Sequence, residues 1–346
     1  MKLSAGEISK LPTIIDVMET LAERENTRRI SHPKELHPWK MLEEGYYMPV
    51  SSGSDNKLVQ FLPTGPCFDL YYRGQNQFFQ KCAPTLYRKK TKEDRMLSRL
   101  KANEFQLQVL THPVVQELMI RGVAINLEAL SQHYGFDTNR LDLTNDKWVA
   151  AFFATTHFKD SKYQPVGKDF GDGFGVLYAS KPDTTPLDSE FSGLMTRLDS
   201  IGFQFFPRPT SQSAYGFLIN EGENLEDFPF FEKHLFRHDK QASDWVYEIS
   251  YRQRKYFPKD SLTQLADLIS KDKVVSYEAV RRCQQNEYPT MSIDDLTTAC
   301  MSKGLMIQKE SKHTFSDEVK KKDLEEWNNF GKNEFVYKTI STDGIY

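Results

Sequence analysis

The sequence predicts an α+β fold, in which helices and strands follow one another in no regular order. Apolar residues recur at helical spacing within residues 12–25 and favour an amphipathic helix there. Aromatic residues crowd residues 68–73, as is typical of a strand. Because strands and helices do not alternate as in βαβ units, we expect a mixed β core with helices packed on it rather than a doubly wound sheet.

The same patterns predict the other elements. Helices are predicted at residues 93–110, 126–134, 145–156, 262–269 and 292–300. Strands are predicted at residues 140–144, 175–178, 203–206, 215–218 and 245–251. Asn126 is the expected N-cap of its helix, and Gly135 is expected to end it. The charged tail after Lys309 is predicted to be either a loosely held helix or a disordered end.

Composition excludes several classes of protein. The chain has 346 residues and a net charge of −3, which does not favour a general nucleic-acid binder but allows a local basic patch. Four cysteines without a CxxC spacing indicate a reducing compartment and no structural zinc, so we expect no metal. With no signal peptide and no apolar run of about 20 residues, we expect a cytoplasmic protein without a membrane segment.

Two polar strings dominate the middle of the chain. The first is YYRGQ at residues 71–75, and the second is QHYGFDTNRLDLT at residues 132–144. An Arg directly before a Gly, after two aromatics, indicates a strand end that presents a guanidinium in a tight space. The second string carries His, Tyr, Asp, Arg and Thr and then runs into the apolar residues 148–154. Together the strings predict one polar pocket on a strand–helix scaffold.

These strings resemble the FRG domain family, which is named for an aromatic–Arg–Gly motif. YYRGQ matches that motif, and the resemblance continues at LYR (residues 86–88), at QHYG (residues 132–135) and at RLDLT (residues 140–144). One departure is Leu143, where the family commonly has Trp. The resemblance covers about residues 68 to 218. It implies an FRG domain at residues 61–265, between an N-terminal helical segment (1–60) and a C-terminal helical appendage with a charged tail (266–346).

The order of elements is also similar, more loosely, to ADP-ribosyltransferases of the Arg–Ser–Glu type. That resemblance implies an ADP-ribosyltransferase-like β core, with Arg73 on the NAD phosphates and Thr144 supporting the nicotinamide side. The catalytic Glu of those enzymes would fall near Gln212, which cannot supply a negative charge. Asp142 is then the nearest substitute, and Glu248 is a more distant one. The other residues expected around the nucleotide are Tyr72, Gly74, Gln75, Tyr134 and Arg140.

The residue types fit this chemistry, but each has a structural alternative. Arg73 offers a planar fork for phosphate oxygens, or it forms a buried ion pair with Asp142 that only anchors the fold. His133 is either a general acid/base or stacking partner, or a helix-end histidine. Gln212 either takes part in catalysis or is a solvated loop residue. The expected catalytic set is Arg73, His133, Asp142 and Gln212.

The resemblances imply a pocket that binds NAD or a related nucleotide, with NAD as a substrate that is cleaved or that donates ADP-ribose. A bacterial toxin or antiphage effector is the expected setting. The alternative is a non-catalytic sensor or interaction module that binds a nucleotide or a nucleic-acid end, which the Gln at position 212 favours. Expected partners are the nucleotide and a macromolecular acceptor, or a protein that engages the C-terminal appendage.

Overall fold

A six-stranded sheet forms the centre of the protein. The structure is a computed structural model that describes residues 2–24, 47–52, 58–63, 70–181, 194, 196–201 and 205–330. The six strands are, in spatial order, β10 (Phe231–Arg237), β7 (Phe174–Ser180), β3 (Tyr72–Gln75), β4 (Arg140–Thr144), β9 (Ala214–Leu218) and β8 (Leu198–Ser200). Each neighbouring pair is antiparallel. The antiparallel sheet and its many helices confirm the α+β class.

Three two-stranded sheets lie outside the central one in the described part of the chain. They pair β1 (Tyr47–Ser52) with β2 (Leu58–Pro63), β5 (Thr156–Lys159) with β6 (Lys162–Pro165), and β11 (Val274–Ser276) with β12 (Met306–Gln308). The sequence predicted helical terminal segments, but both segments also contain strands. β1 lies before residue 60, and β11 and β12 lie after residue 266.

Helices supply the rest of the described elements. The helices are α1 (Ala5–Ile8), α2 (Ile14–Arg24), α3 (Thr85–Arg88), α4 (Lys92–Leu110), α5 (Pro113–Ile120), α6 (Leu127–His133), α7 (Lys147–Thr155), α8 (Pro207–Ser211), α9 (Lys240–Ile249), α10 (Ser261–Lys271), α11 (Tyr277–Glu287), α12 (Ile293–Ser302) and α13 (Asp317–Phe330). The prediction for α6 is confirmed in detail. The Asn126 side chain accepts a hydrogen bond from the Ala129 amide, and Gly135 ends the helix with a φ of +87°.

The two faces of the central sheet are buried in different clusters. All seven residues of β7 are buried. Leu177 and Ala179 share a cluster with the apolar face of α2, with α7 and with α9. Val176 and Tyr178 point into the other cluster, which also holds Leu141, Leu143 and Phe217. The predicted amphipathic helix is confirmed, because its stripe (Ile14, Val17, Met18 and Leu21) is buried against this first face.

One strand prediction is wrong, and a second is not confirmed where the structure describes it. Residues 245–249 belong to α9, which begins upstream where the Asp239 side chain accepts a hydrogen bond from the Ala242 amide. The apolar residues after Trp245 that seemed to alternate as in a strand belong to the apolar face of this helix, which starts at its N-cap upstream. Of the strand predicted at residues 203–206, residues 203 and 204 lie outside the described part of the chain, and residues 205 and 206 form a bend. The proline-rich stretch after them is the short helix α8, because Pro207 occupies its first turn.

The charged tail is a packed helix as far as residue 330. Trp327 on α13 is only 2% exposed and lies in the largest apolar cluster, with residues of α5. The Asp323 carboxylate lies 3.0 Å from Nε2 of His112, whose side chain is fully buried. Neither a loosely held helix nor a disordered end describes this part of the tail. Residues 331–346 lie outside the described part of the chain.

Gly74 sets the distance between β3 and α7. A Cβ atom built on Gly74 would overlap the main-chain carbonyl of Ala150 and would also lie within 2.8 Å of the Ala154 nitrogen. Main-chain atoms in a helix cannot move aside as a flexible side chain can. The glycine of the YRGQ string is therefore required for close packing of strand on helix.

We expect Gly74→Ala to lower the free energy of unfolding by at least about 2 kcal/mol, because the added methyl group must displace α7. Urea unfolding of the purified protein measures this change. Gly6→Ala is the matched control, since a Cβ at Gly6 meets no atom within 4 Å. Equal losses of stability in the two variants would contradict the packing role of Gly74.

Asp323 makes the docking of α13 dependent on pH. Burial raises the pKa of Asp323, but the hydrogen bond from His112 and the other hydrogen-bonding and positively charged groups nearby together outweigh burial and hold that pKa below its ordinary value. Such a carboxylate stabilises the folded state above its unfolded pKa of about 3.9, and the contribution is lost as the pH falls through the lower folded-state pKa. We expect Asp323→Asn to cost about 1–3 kcal/mol at neutral pH and progressively less below about pH 4.

Urea unfolding at a series of pH values tests this expectation. The exposed loop residue Asp169 provides the control Asp169→Asn, which should leave the free energy of unfolding unchanged at every pH. A difference between wild type and Asp323→Asn that stays constant down to pH values near 3 would show that the carboxylate charge has no part in docking α13.

Candidate active site

A cleft of about 340 Å³ opens beside β3 and β4. α7 and the β5–β6 hairpin complete its walls. The residues predicted from the sequence that line it are Tyr72, Arg73, Gly74, Gln75, His133, Asp142, Thr144 and Gln212. The structure therefore brings the two polar strings together with Gln212, which lies much later in the chain.

The cleft exists because β3 and β4 separate after one residue pair. Tyr72 opposite Thr144 is the single pair that these strands form, whereas β4 pairs with β9 along five residues. Beyond that pair, Nη1 of Arg73 donates a hydrogen bond of 2.9 Å to the main-chain carbonyl of Asp142. The Arg73 side chain thus spans the gap between two strands that no longer pair through their backbones.

Arg73 does not form the ion pair that the sequence offered as an alternative. Its hydrogen bond goes to the main chain of Asp142, and no contact with a described carboxylate meets the distance of an ion pair. Its Nε is buried without a hydrogen-bond partner among the described residues. The guanidinium therefore has no balancing carboxylate among the described residues, and its buried Nε keeps an unused hydrogen.

The neighbours of Arg73 in the first string serve mainly to hold it. Tyr72 is fully buried and packs in the cluster with α7. Gln75 is buried, and its Nε2 donates to the Cys82 sulfur at 3.3 Å. Burial raises the pKa of the Cys82 thiol, and the charge of Arg73 only partly offsets this effect. Together with the close packing of Gly74, these contacts fix the position of β3 at the edge of the cleft.

His133 is held by Gln212 in one tautomer. Nε2 of Gln212 donates to the Tyr256 carbonyl at 3.0 Å, so Oε1 of Gln212 is the atom left to accept a hydrogen bond. Nδ1 of His133 lies 2.9 Å from that oxygen and must therefore carry a proton. Nε2 of a neutral His133 then has a free lone pair, and it has no hydrogen-bond partner among the described residues. Gln212 is buried, not a solvated loop residue.

Asp142 presents its carboxylate beside that free nitrogen. Oδ1 of Asp142 lies 3.6 Å from Nε2 of His133 and has no hydrogen-bond partner among the described residues. Oδ2 makes a long contact of 3.4 Å with the Gln132 amide. The side chain as a whole is 45% exposed and lines the cleft, although Oδ1 itself is buried. A carboxylate and an imidazole at this distance can act together on one bound molecule.

Thr144 has a structural task at the base of the cleft. Its hydroxyl donates to the Gln212 carbonyl at 2.8 Å and accepts a hydrogen bond from the Asp146 amide at 3.0 Å. The hydroxyl thus ties the end of β4 to the segment that carries Gln212. This contact holds Gln212 beside His133.

Two predicted nucleotide-binding residues lie away from the cleft. The Tyr134 hydroxyl donates to the half-buried Asp260, and the Tyr134 ring lies under the Arg208 guanidinium at 5.2 Å. Burial raises the pKa of Tyr134 well above its ordinary value. Arg140 is paired with Asp199, next to β9. Both side chains already have partners within the fold. Their closeness in sequence to His133 and Asp142 therefore does not place them in the cleft. Glu248 is also outside the cleft and pairs with Arg252 on the surface.

Sequence reasoning missed part of the cleft. Arg88 lines it and is exposed, with its guanidinium over the Phe79 ring at 5.5 Å. Partial desolvation, followed by the positive charge of Arg73, lowers the pKa of Arg88, as expected for two neighbouring guanidiniums. Like Arg73, it contacts no described carboxylate at ion-pair distance. Its place in the LYR block was the available signal.

Aromatic rings form the opposite wall. Phe153, Phe158 and Tyr163 line the cleft, and burial raises the pKa of Tyr163 to about 12, so its phenol is neutral. The buried ring of Phe152 belongs to the core. Phe153, in contrast, reaches the cleft because it is the next residue along the helix and points in another direction.

The described residues hold no group of three His, Cys, Asp or Glu side chains that could bind a metal ion. Within the same residues, no helix is long and apolar enough to cross a membrane.

Comparison with known proteins gives one match. The model of the FRG domain family matches residues 69–163, which run from just before β3 to the β5–β6 hairpin. This region contains both polar strings and most of the cleft walls. No curated protein and no solved structure matches the chain. The chain therefore contains an FRG domain at residues 69–163.

Proposed function

We propose that the cleft binds NAD or a related nucleotide through its phosphates. The observation that carries this proposal is the pair of guanidiniums, Arg73 and Arg88, that line the cleft without a carboxylate partner among the described residues. Arg73 is half-buried, and a charge without a counter-charge is costly to hold there. A phosphate group would supply the missing charge and matches the planar fork of both arginines.

The rest of the cleft suits the other parts of a nucleotide. Phe158 and Tyr163 offer faces for a planar base or a nicotinamide ring. The volume of about 340 Å³ is within the usual range for a small-molecule site.

Cleavage of NAD is the reaction that this cleft supports best. The bond between the ribose and the nicotinamide nitrogen breaks, and nicotinamide leaves with the electron pair. The Asp142 carboxylate, acting in place of the missing Glu, stabilises the positive charge that develops on the ribose. Water or an acceptor hydroxyl then attacks the ribose carbon, and its proton passes to Nε2 of His133. The products are nicotinamide and ADP-ribose, free or attached to the acceptor.

Gln212 has a supporting part in this mechanism. Both ends of its amide are engaged, at His133 and at the Tyr256 carbonyl. It therefore fixes the imidazole tautomer instead of touching the ribose. A cytoplasmic toxin or antiphage effector is a setting that such an activity would suit.

A binding module without turnover is the second candidate. Gln212 supports this candidate, because a catalytic carboxylate is missing at that position. The Thr144 hydroxyl is also occupied, since it donates to the Gln212 carbonyl. In this case the nucleotide is a signal, and Asp142 contacts a ribose hydroxyl without chemistry.

We expect Arg73→Ala and Arg88→Ala each to weaken NAD binding about tenfold or more, because each loses a charge-assisted contact worth about 1.5–3 kcal/mol. Isothermal titration calorimetry with NAD measures the affinity. Arg281→Ala is the matched control, since Arg281 pairs with Glu278 on the surface of α11, outside the cleft. If all variants bound NAD with equal affinity, the two arginines would not contact it, and the proposal that NAD binds in this cleft would be wrong.

We expect the wild-type protein to release nicotinamide from NAD, and Asp142→Asn to lose at least about 100-fold of that rate while still binding NAD. The neutral amide keeps the shape of Asp142 but cannot stabilise the ribose cation. Chromatographic detection of nicotinamide measures the rate. A folded wild-type protein that binds NAD but releases none would leave the binding module as the function.

Gln212→Glu serves as the second variant in this experiment. If Gln212 orients His133, the Glu side chain cannot donate to the Tyr256 carbonyl as the Gln amide does. The variant is then expected to be less stable and to release nicotinamide more slowly. A variant that releases nicotinamide faster than wild type would instead show that position 212 faces the ribose, as in the Arg–Ser–Glu enzymes.

A further inference from the structure

Asn76 offers the cleft a hydrogen-bond acceptor whose direction is fixed. The residue follows β3 directly and lines the cleft together with Thr156. Nδ2 of Asn76 donates a hydrogen bond of 2.7 Å to the main-chain carbonyl of Thr156. Because a carbonyl only accepts, the amide nitrogen must face it and Oδ1 must point the other way. Oδ1 of Asn76 accepts no hydrogen bond from a described residue, so it is left for a ligand.

The main chain of Asn76 is held as well. Nε2 of His238 lies 2.8 Å from the Asn76 carbonyl oxygen and must carry a proton to bond it. Burial lowers the pKa of His238, although this hydrogen bond opposes the effect, so the ring is neutral at neutral pH with its proton on Nε2. Side chain and backbone of Asn76 are thus both anchored, and a ligand meets an acceptor that is already in position.

The acceptor lies beside the aromatic wall of the cleft. Thr156 and Phe158 are two residues apart on β5, so their side chains share one face of the hairpin and their Cα atoms are about 7 Å apart. Both residues line the cleft. The ring of Tyr163 packs on Phe158 with centroids 5.1 Å apart. A planar ring stacked on this wall can therefore turn one edge toward Asn76.

The same wall lies near the carboxylate of the proposed reaction. Burial raises the pKa of Tyr163 to about 12; the positive charge of Arg208 opposes this effect, and the negative charge of Asp142 adds to it. In the proposed reaction Asp142 acts at the bond between ribose and nicotinamide. The ring on the wall is then nicotinamide, whose carboxamide carries the N–H donors that Oδ1 of Asn76 requires.

We propose that Asn76 determines the specificity for the nicotinamide end of NAD, because its Oδ1 accepts a hydrogen bond from the carboxamide amino group. This inference rests on the proposed function. A fixed acceptor discriminates through what it leaves unpaired, so a ligand without that N–H group loses affinity even when its shape is the same. The substrate class is therefore nucleotides that carry a primary amide on the stacked ring.

Isothermal titration of the full chain with three dinucleotides tests the proposal. In 3-acetylpyridine adenine dinucleotide a methyl group replaces the amino group of the carboxamide, without a change of charge. In nicotinamide hypoxanthine dinucleotide an oxygen replaces the adenine amino group, which is a donor of the same kind at the other end. We expect wild type to bind the acetylpyridine analogue about tenfold more weakly than NAD, and the hypoxanthine analogue as tightly as NAD.

We expect Asn76→Ala to bind NAD and the acetylpyridine analogue with equal affinity. The variant also loses the hydrogen bond to Thr156, but a loosened hairpin weakens both ligands alike and cancels in their ratio. Asn286→Ala is the matched control, since Asn286 is exposed at the end of α11, outside this cleft, and should keep the wild-type ratio. Circular dichroism confirms folding, and the ligand comparison on wild type stands by itself if Asn76→Ala does not fold.

The outcomes separate this inference from the proposed function. Equal affinity of wild type for NAD and the acetylpyridine analogue overturns the inference and leaves NAD binding intact. Weaker binding of the hypoxanthine analogue alone overturns it too, since adenine would then face Asn76. A preference for NAD that persists in Asn76→Ala shows that another group recognises the amide. If none of the three dinucleotides binds, the proposed function is wrong, and this inference is wrong with it.

Discussion

The separation of β3 from β4 is the constraint on which the cleft depends. Two central strands that pair at Tyr72 and Thr144 alone leave a gap in the middle of a sheet that is otherwise well paired. Arg73 closes part of that gap through its hydrogen bond to the Asp142 carbonyl. Gly74 lets α7 pack directly behind the gap. Because backbone polar groups in a sheet require partners, an opening of this kind persists only where side chains satisfy them.

The orientation of the reactive groups comes from outside the matched family region. Gln212 fixes the imidazole of His133, and the Tyr256 carbonyl fixes Gln212. The segment that carries this carbonyl begins with three consecutive residues of positive φ, Tyr251 to Gln253. Gln253 also holds the amide of Tyr163. Left-handed backbone in non-glycine residues is costly, and here the strained turn supports two walls of the cleft.

A buried arginine joins the FRG domain to the C-terminal helices. Arg99 on α4 contacts Glu128 on α6, Glu287 on α11 and the Asp137 carbonyl. These two carboxylates outweigh the effect of burial and raise the pKa of Arg99, so its charge is permanent. A charge that is buried and fully paired holds its partners in a fixed geometry, because removal of one partner would leave the other uncompensated. The C-terminal helices are thereby packed on the same helix, α4, that supports α6 and His133.

The sequence by itself determined the fold class, six of the described helices, the N-cap of α6, the FRG domain and the location of Arg73, His133 and Asp142 in one pocket. These follow from local periodicity, capping and compact motifs, which depend on neighbouring residues. Only the tertiary structure decided that Tyr134 and Arg140 turn away, that Arg88 enters the cleft, and that Gln212 orients His133. Those outcomes depend on contacts between residues far apart in the chain. The helix at residues 240–249 also depends on such contacts. The residues after Trp245 alternate as in a strand, but the N-cap upstream and packing on α7 make them helical.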